Sequence, residues 1–265
     1  MVSTSFKSDA QLYAGAVESG QSEAAATEAA PGLSLASFIP KPIHPENYPN
    51  ALKAIPFRQY LRNTLLLCAL NVLGATVSSA IVAYGFARIR FDGSKALFGV
   101  MIATMAIPGQ VTMVPVFALY RALGWYDTYL PLVVPSFFGG AFYIFLLVQF
   151  FRTLPEEMAE AARLDGAGEW TIFRSVMLPL ARPALATVAL FQFLGTWNDF
   201  FGPLLYLNDS SRYTLAYGLQ QFLSAQGGQW PFLMATSLLF ALPVIVLFFL
   251  AQRTFIQGIA TTGMK

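Results

Sequence analysis

The sequence predicts an all-α integral membrane protein, a helical bundle of five spans. Only 11% of its 265 residues are charged, 56% are hydrophobic, and the mean hydropathy is +0.56. A soluble domain carries about 25% charged residues, and so few charges cannot cover the surface of a soluble chain this long. The charges are also spaced far apart. None falls between Arg62 and Arg88, between Lys95 and Arg121, or between Asp127 and Arg152. An uncharged stretch of roughly 20 residues crosses about 30 Å of hydrocarbon as a helix.

These gaps give the first three spans, Thr64–Ala87, Ala96–Tyr120 and Thr128–Phe151. The fourth, Pro183–Leu207, holds one charge, Asp199, and the fifth is the apolar part, Phe232–Ala251, of the stretch between Arg212 and Arg253. The span interiors contain Gly74, Gly85, Gly139, Gly140 and Pro243. Membrane helices tolerate such residues where neighbours satisfy the freed backbone groups, and small residues such as Gly74, Ser78 and Ser79 let helices approach closely. Pro108 and Gly109, beside Gln110 in mid-span, predict a kinked helix lining a passage.

Orientation follows the Lys/Arg bias of short loops. Loop 88–95 carries Arg88, Arg90 and Lys95, and loop 152–182 carries Arg152, Arg163, Arg174 and Arg182. The alternate loops carry only Arg121 and only Arg212. The first set is expected in the cytoplasm together with the C-terminus, which puts the N-terminus outside. Residues 1–60 then form an extracytoplasmic loop or tail, 61–253 the transmembrane domain, and 254–265 a cytoplasmic tail. Within the first region Ala14–Pro31 is small, polar and acidic and reads as a flexible loop. Phe38–Pro49 is proline-dense and reads as extended, and Phe57–Leu61 as a short lead-in to the first span.

The loop 152–182 has the densest signals. Thr153 and Glu156 stand at capping-box spacing, making Thr153 the expected N-cap. Leu154, Met158, Ala161 and Ala162 then share one helical face. Gly166 suits the left-handed position past a helix end. A second helix is expected from Glu169 to Leu178, with Trp170, Phe173, Val176, Met177 and Leu180 on its apolar face and Pro179 ending or bending it. Two stiff helices joined by a glycine turn make a lever that can sit in another protein's cleft. An amphipathic hairpin lying on the membrane surface is the competing reading of the same pattern.

Glu160-Ala161-Ala162, then Gly166, then Leu178-Pro179, stand in the order of the EAA loop. On these residues the chain resembles the membrane-spanning permease subunits of ABC importers, and in particular their carbohydrate branch of maltose and glycerol-phosphate type. Ala83–Phe91, the segment Trp197-Asn198-Asp199-Phe200 with Pro203-Leu204, and Gln252-Arg253 with Gln257-Gly258 match the branch in order and spacing. One departure is Val176, where the family usually has Ile. The resemblance implies a cytoplasmic two-helix coupling loop docking on an ATP-hydrolysing subunit through Glu160, Ala161, Ala162, Asp165, Gly166, Leu178 and Pro179. It implies as partners a second permease subunit, an ATP-binding subunit dimer and an extracytoplasmic sugar-binding protein.

Function classes other than a permease are less well supplied. An ion-coupled secondary carrier, the main alternative, usually shows paired intramembrane charges and repeated halves; here Asp199 stands alone and no repeat is visible. An intramembrane enzyme needs a nucleophile with its base, or metal ligands. One histidine, His44, and one cysteine, Cys68, give neither, so no catalytic residue, metal site or cofactor is expected. No Gly-Lys pair exists for a phosphate loop, so ATP hydrolysis belongs on another chain. Nothing basic enough to hold nucleic acid is present.

An ionisable residue within a span is a functional candidate by default. Asp199, with Gln192, Thr196, Asn198 and the distant Gln110, is a candidate lining of the translocation path. The competing role for Asp199 is to snorkel or to cap a local break before Gly202 and Pro203. Finally, the family has six spans, and Ser5-Phe6-Lys7-Ser8-Asp9 resembles the segment after its first helix. The sequence is thus expected to lack that helix, which would account for Lys53, Arg58 and Arg62 lying on the outer side.

Overall fold

The computed structural model describes residues 1–8, 11, 40–224 and 229–262, the last thirteen of these as backbone only. Ala14–Pro31, read as a flexible loop, lies outside the described residues. Among the described residues every regular element is helical: α1 (Val2–Ser5), α2 (Asn47–Ala54), α3 (Phe57–Arg88), α4 (Ser94–Thr104), α5 (Gly109–Ala122), α6 (Leu130–Val133), α7 (Ala141–Thr153), α8 (Glu157–Leu164), α9 (Glu169–Leu180), α10 (Arg182–Trp197), α11 (Phe201–Tyr206), α12 (Leu215–Ser224) and α13 (Trp230–Thr262). Three stretches, Phe57–Arg88, Leu130–Thr153 and Trp230–Phe249, are long and apolar enough to cross a membrane. Two bent pairs, α4 with α5 and α9 with α10, bring the number to five if each is one span.

The chain forms two compact units. The first comprises Met1–Asn63 and Tyr213–Leu247. Its N-terminal segment is tied down by Asn47, whose amide donates to the carbonyls of Ser5 (2.9 Å) and Lys7 (2.8 Å). The Ser5 and Tyr48 hydroxyls lie 2.9 Å apart, and Phe6 packs on the Tyr48 ring. Pro49 is helical rather than extended, within the first turn of α2, where a missing N–H costs nothing. Tyr60 lies so close over Gly218 that a Cβ there would come within 2.5 Å of its ring.

The second unit comprises Thr64–Arg212 and Phe248–Lys265. Along α3 it is inverted relative to a soluble helix. Thr64, Asn71 and Ser79 are buried, while Leu66, Leu73, Val77 and Ile81 are exposed. With lipid as the solvent, large apolar side chains gain nothing by turning inward, and small or polar ones make the helix contacts. Gly74 shows this most sharply, since a Cβ on it would meet Ser136 Oγ at 2.5 Å and the Phe137 ring at 2.7 Å. Ser78 Oγ, one turn on, bonds the carbonyls of Gly74 and Ser136.

The main cluster joins Ala80, Ala83 and Tyr84 of α3 with Leu147, Val148 and Phe151 of α7. Ala159 of α8, Ile172 and Met177 of α9, and Val188 of α10 also belong to it. Two of the expected spans are interrupted. Ala96–Tyr120 is two helices meeting at 96°, with the break at Met105–Pro108 next to the expected kink. Pro108 supplies no N–H to continue α4 and its extended φ/ψ starts α5. In Pro183–Leu207 the long helix stops at Trp197, and the short α11 follows after three residues.

Candidate functional site

The loop after α7 is built as a rigid frame. Thr153 does not cap α8. It stays inside α7, its Oγ1 donating to Phe150 O at 2.7 Å, and the residue before the first helical turn of α8 is Glu156. The expected face of α8 also changes. Ala159 is the buried residue, Leu154 and Ala162 pack beside it, and Met158 and Ala161 point outward.

Helix α8 ends as its glycine requires. Gly166 has φ of +83°; its N–H donates to Arg163 O, and that of Ala167 reaches back to Ala162 O. This is the Schellman pair of bonds, and Ala162 and Ala167 both pack against the buried cluster. A side chain at 166 would meet open space, so the cost of replacing this glycine is conformational alone.

Helix α9 runs from Glu169 to Leu180 through a π-turn at Phe173–Met177. Leu178 N–H bonds Phe173 O, five residues back. The wider turn relieves the clash that the Pro179 ring would make with the carbonyl four residues before it. It also adds a residue to the register. Ile172, which the periodic reading omitted, is fully buried with Phe173 and Met177, and Trp170 turns out to 63% exposure. A bend of 78° at Ala181 then leads into α10.

Side-chain bonds fasten this frame to the spans. The Tyr84 hydroxyl of α3 donates to Glu169 Oε2 at 2.6 Å, and Arg163 Nε pairs with Glu169 Oε1 at 2.9 Å. The Tyr84 hydroxyl foremost, and Arg163 after it, hold the Glu169 carboxyl below the usual range. Arg88, at the end of α3, donates to the carbonyls of Phe151 and Leu154, both at 2.6 Å. It thus places a cation where the terminal carbonyls of α7 gather negative charge. Neither the Tyr84–Glu169 bond nor the Arg88 bonds announce themselves in the sequence, since each joins residues more than 60 positions apart.

Of the expected loop residues, Glu160, Ala161, Asp165 and Gly166 lie on the exposed side, Ala162 packs inward, and Leu178 and Pro179 sit where the π-turn closes. Exposed apolar residues share the outer side: Leu164 at 90%, Trp170, and Met158 at 45%.

The second candidate set separates into two groups. Gln192 Nε2 bonds Thr196 Oγ1 at 3.1 Å and Asn198 Nδ2 bonds Leu194 O at 2.8 Å, each along α10 or at its end. Asp199 accepts from Gly202 N–H at 2.9 Å, capping the break between α10 and α11. Gln110, on the first turn of α5, lines a cleft of about 360 Å³ whose opposite wall is α11. The structure therefore brings Gln110 to the helix that Asp199 caps, while Gln192, Thr196 and Asn198 do not line that cleft. Beyond it, Asp127 accepts from the N–H groups of Asn208 and Asp209 and pairs with Arg212, which keeps its carboxyl low and ties the two loops together.

The arrangement joins a braced frame to an exposed tip, and among the described residues no cluster of metal-ligating side chains is present. A family model described as "Binding-protein-dependent transport system inner membrane component" matches residues 72–260. A probable ABC transporter permease protein, YurM of Bacillus subtilis, is 32% identical over 228 residues, covering 86% of this chain and 76% of that protein. The maltose/maltodextrin transport system permease protein MalG of Escherichia coli K12 is 34% identical over 216 residues, 79% of this chain and 73% of its own. Among solved structures, a chain of a bacterial ABC transporter that imports the acidic polysaccharide alginate superposes with TM-score 0.77. Its identity is 24%, over 95% of this chain and 87% of that one. The inward-facing MetNI methionine ABC transporter gives TM-score 0.57 at 17% identity, over 74% and 93%. At those identities the structural likeness is one of fold.

Proposed function

The chain belongs to the family of binding-protein-dependent transport system inner membrane components, and from that premise we propose that it forms half the pore of an ATP-driven carbohydrate importer. Membership makes it a multi-pass inner-membrane transport subunit rather than an enzyme. The carbohydrate reading draws support from the maltose/maltodextrin permeases it resembles over most of its length. In this reading the chain works with a second permease, a dimer of ATP-binding subunits and an extracytoplasmic sugar-binding protein. Loop 152–182 and the C-terminus (254–265) face the cytoplasm, 1–60 lies outside, and 61–253 is the transmembrane domain.

The observation that carries the proposal is the loop itself. Its inner side is locked to α3, α7 and α10 by buried side chains, the Glu169 bonds and Arg88, while its outer side presents Leu164, Trp170 and Met158 with Glu160. A rigid support under an exposed apolar tip suits a docking lever. The ATP-binding subunit sits against Glu160, Ala161, Asp165, Gly166 and the exposed Pro179, with Ala162 and Leu178 supporting from behind, and its closure on ATP tilts the attached helices. Asp199, Gln192, Thr196, Asn198 and Gln110 belong to the wall of the path that this tilt opens.

Reconstitution of the complete importer in vesicles tests the proposal. Uptake of a carbohydrate should require internal ATP and the binding protein, and persist when ion gradients are collapsed. Uptake that follows an ion gradient and ignores ATP contradicts it.

A further inference from the structure

The cleft between α5 and α11 has a composition that selects a ligand. We infer that it is a subsite for a neutral carbohydrate, with Gln110 as the hydrogen-bonding group and the rings of Tyr206 and Phe201 as the stacking surface; this rests on the permease reading above.

Three features point to it. First, the Gln110 amide has no hydrogen-bond partner among the described residues. An unpartnered amide within a membrane span costs several kcal/mol against lipid, so Gln110 faces water, the second permease subunit or a ligand that bonds it. Gln110 sits on the first turn after the 96° bend, which turns it away from the straight path of α4. Second, aromatic surface lies opposite. Phe201 is 53% exposed, and the Tyr206 ring is fixed by stacking on Phe117 (6.1 Å, 25°) and by an edge contact with Tyr120 (5.5 Å). A pyranose presents hydroxyls around its rim and C–H groups on its faces. A held aromatic face beside an amide and the Thr112 hydroxyl matches that pattern.

Third, the lining holds no Lys or Arg. Asp199 accepts from Gly202 N–H on the cleft wall. A uronate carboxylate entering here finds no cation to balance its charge, so the site discriminates against acidic sugars. The volume, about 360 Å³, suits one or two sugar rings.

The chain's single cysteine, Cys68, is buried, so Met113→Cys, at a lining position outside the proposed hydrogen-bonding and stacking groups, places one accessible thiol in the cleft. The complete importer carrying this variant is reconstituted and treated with a water-soluble, membrane-impermeant methanethiosulfonate, and labelling of this chain is followed by peptide mass spectrometry. Glucose, galactose, maltose, sucrose and digalacturonate serve as probes. Labelling should occur, and a neutral sugar at about ten times its Kd should slow it about elevenfold by mass action. Digalacturonate should not slow it, and Phe201→Ala in the same background should remove the protection. No labelling, no protection by any neutral sugar, or protection by digalacturonate alone overturns the subsite. The unsubstituted importer is assayed in parallel for ATP-dependent uptake. If that uptake is intact while protection fails, only the subsite falls; if that uptake is itself independent of ATP, the permease reading falls.

Discussion

Helices α7 to α10 each place fully buried side chains in a common cluster, among them Leu147, Val148, Phe151, Ala159, Ile172, Met177 and Val188. The bent pair α4 and α5, in the same unit, places none. On α5 the residues Val111 and Val114 are 68% exposed and Leu119 is 54%. Both regions contain a sharp bend, but charge lies mostly in the first, on α8 and α9, while α4 and α5 carry only Lys95 and Arg121. Their neighbours differ as well. The first region meets its own chain on one side and keeps a compact exposed tip. The second leaves most of its surface for lipid, for another subunit or for what passes through. A transporter needs both kinds of part, a stiff element that moves as a body and a wall that can be approached.

The largest effect should separate the two regions directly. Leu147→Ala removes a fully buried side chain and should cost about 2–5 kcal/mol. Val114→Ala, at 68% exposure, should change stability by no more than about 0.5 kcal/mol. Thermal unfolding of the purified chain in detergent measures both, and equal losses would erase the distinction.

Next comes the fastening of the frame. Arg88→Met keeps the length of the side chain but strips two charge-assisted bonds from the end of α7, an expected loss of about 1.5–3 kcal/mol. Hydrogen exchange should rise at the end of α7 and in α8 and remain unchanged in α5.

Gly166→Val forces a β-branched residue into φ of +83° and should cost about 1–2 kcal/mol. The variant should insert normally and yet lose sugar-stimulated ATP hydrolysis in the complete importer, because α9 is tilted relative to α8. The smallest effect concerns pH. Glu169 titrates below its ordinary 4.5 in the folded chain, so its contribution is complete above pH 4.5 and is lost as pH falls through the lower folded value. Exchange protection across 163–169 should therefore be flat from neutral pH down to about 4.5 and fall below it. A decline beginning near pH 6.5, where histidine titrates, would point to a different group.

The features legible in the sequence were those with local causes. Uncharged stretches marked the long apolar helices, Pro108 marked the break beside Gln110, and Gly166 marked the left-handed turn. Local signals misled where a longer-range constraint overrode them. Thr153 and Glu156 have capping-box spacing, but the packing of α7 on Ala80 and Tyr84 carries that helix through Thr153. The 3.6-residue period put Trp170 inward, and the π-turn required before Pro179 put Ile172 there instead. Asp199 as a cap was legible, because Gly202 and Pro203 follow it. The meeting of Gln110 with α11 was not, since it depends on how two distant helices lie.

The central claim is that the exposed tip of loop 152–182 is a contact for the ATP-binding subunit, and Leu164, at 90% exposure, is its most exposed large apolar residue. The most direct measurement replaces Leu164 with the photo-reactive amino acid p-benzoylphenylalanine in the complete importer and identifies the adduct formed on illumination. The account predicts a covalent adduct between this chain and the ATP-binding subunit, with a yield that changes between ATP-bound and nucleotide-free complexes. An assembled, ATP-hydrolysing complex that forms only lipid adducts at position 164 would contradict it and favour an amphipathic hairpin lying on the membrane.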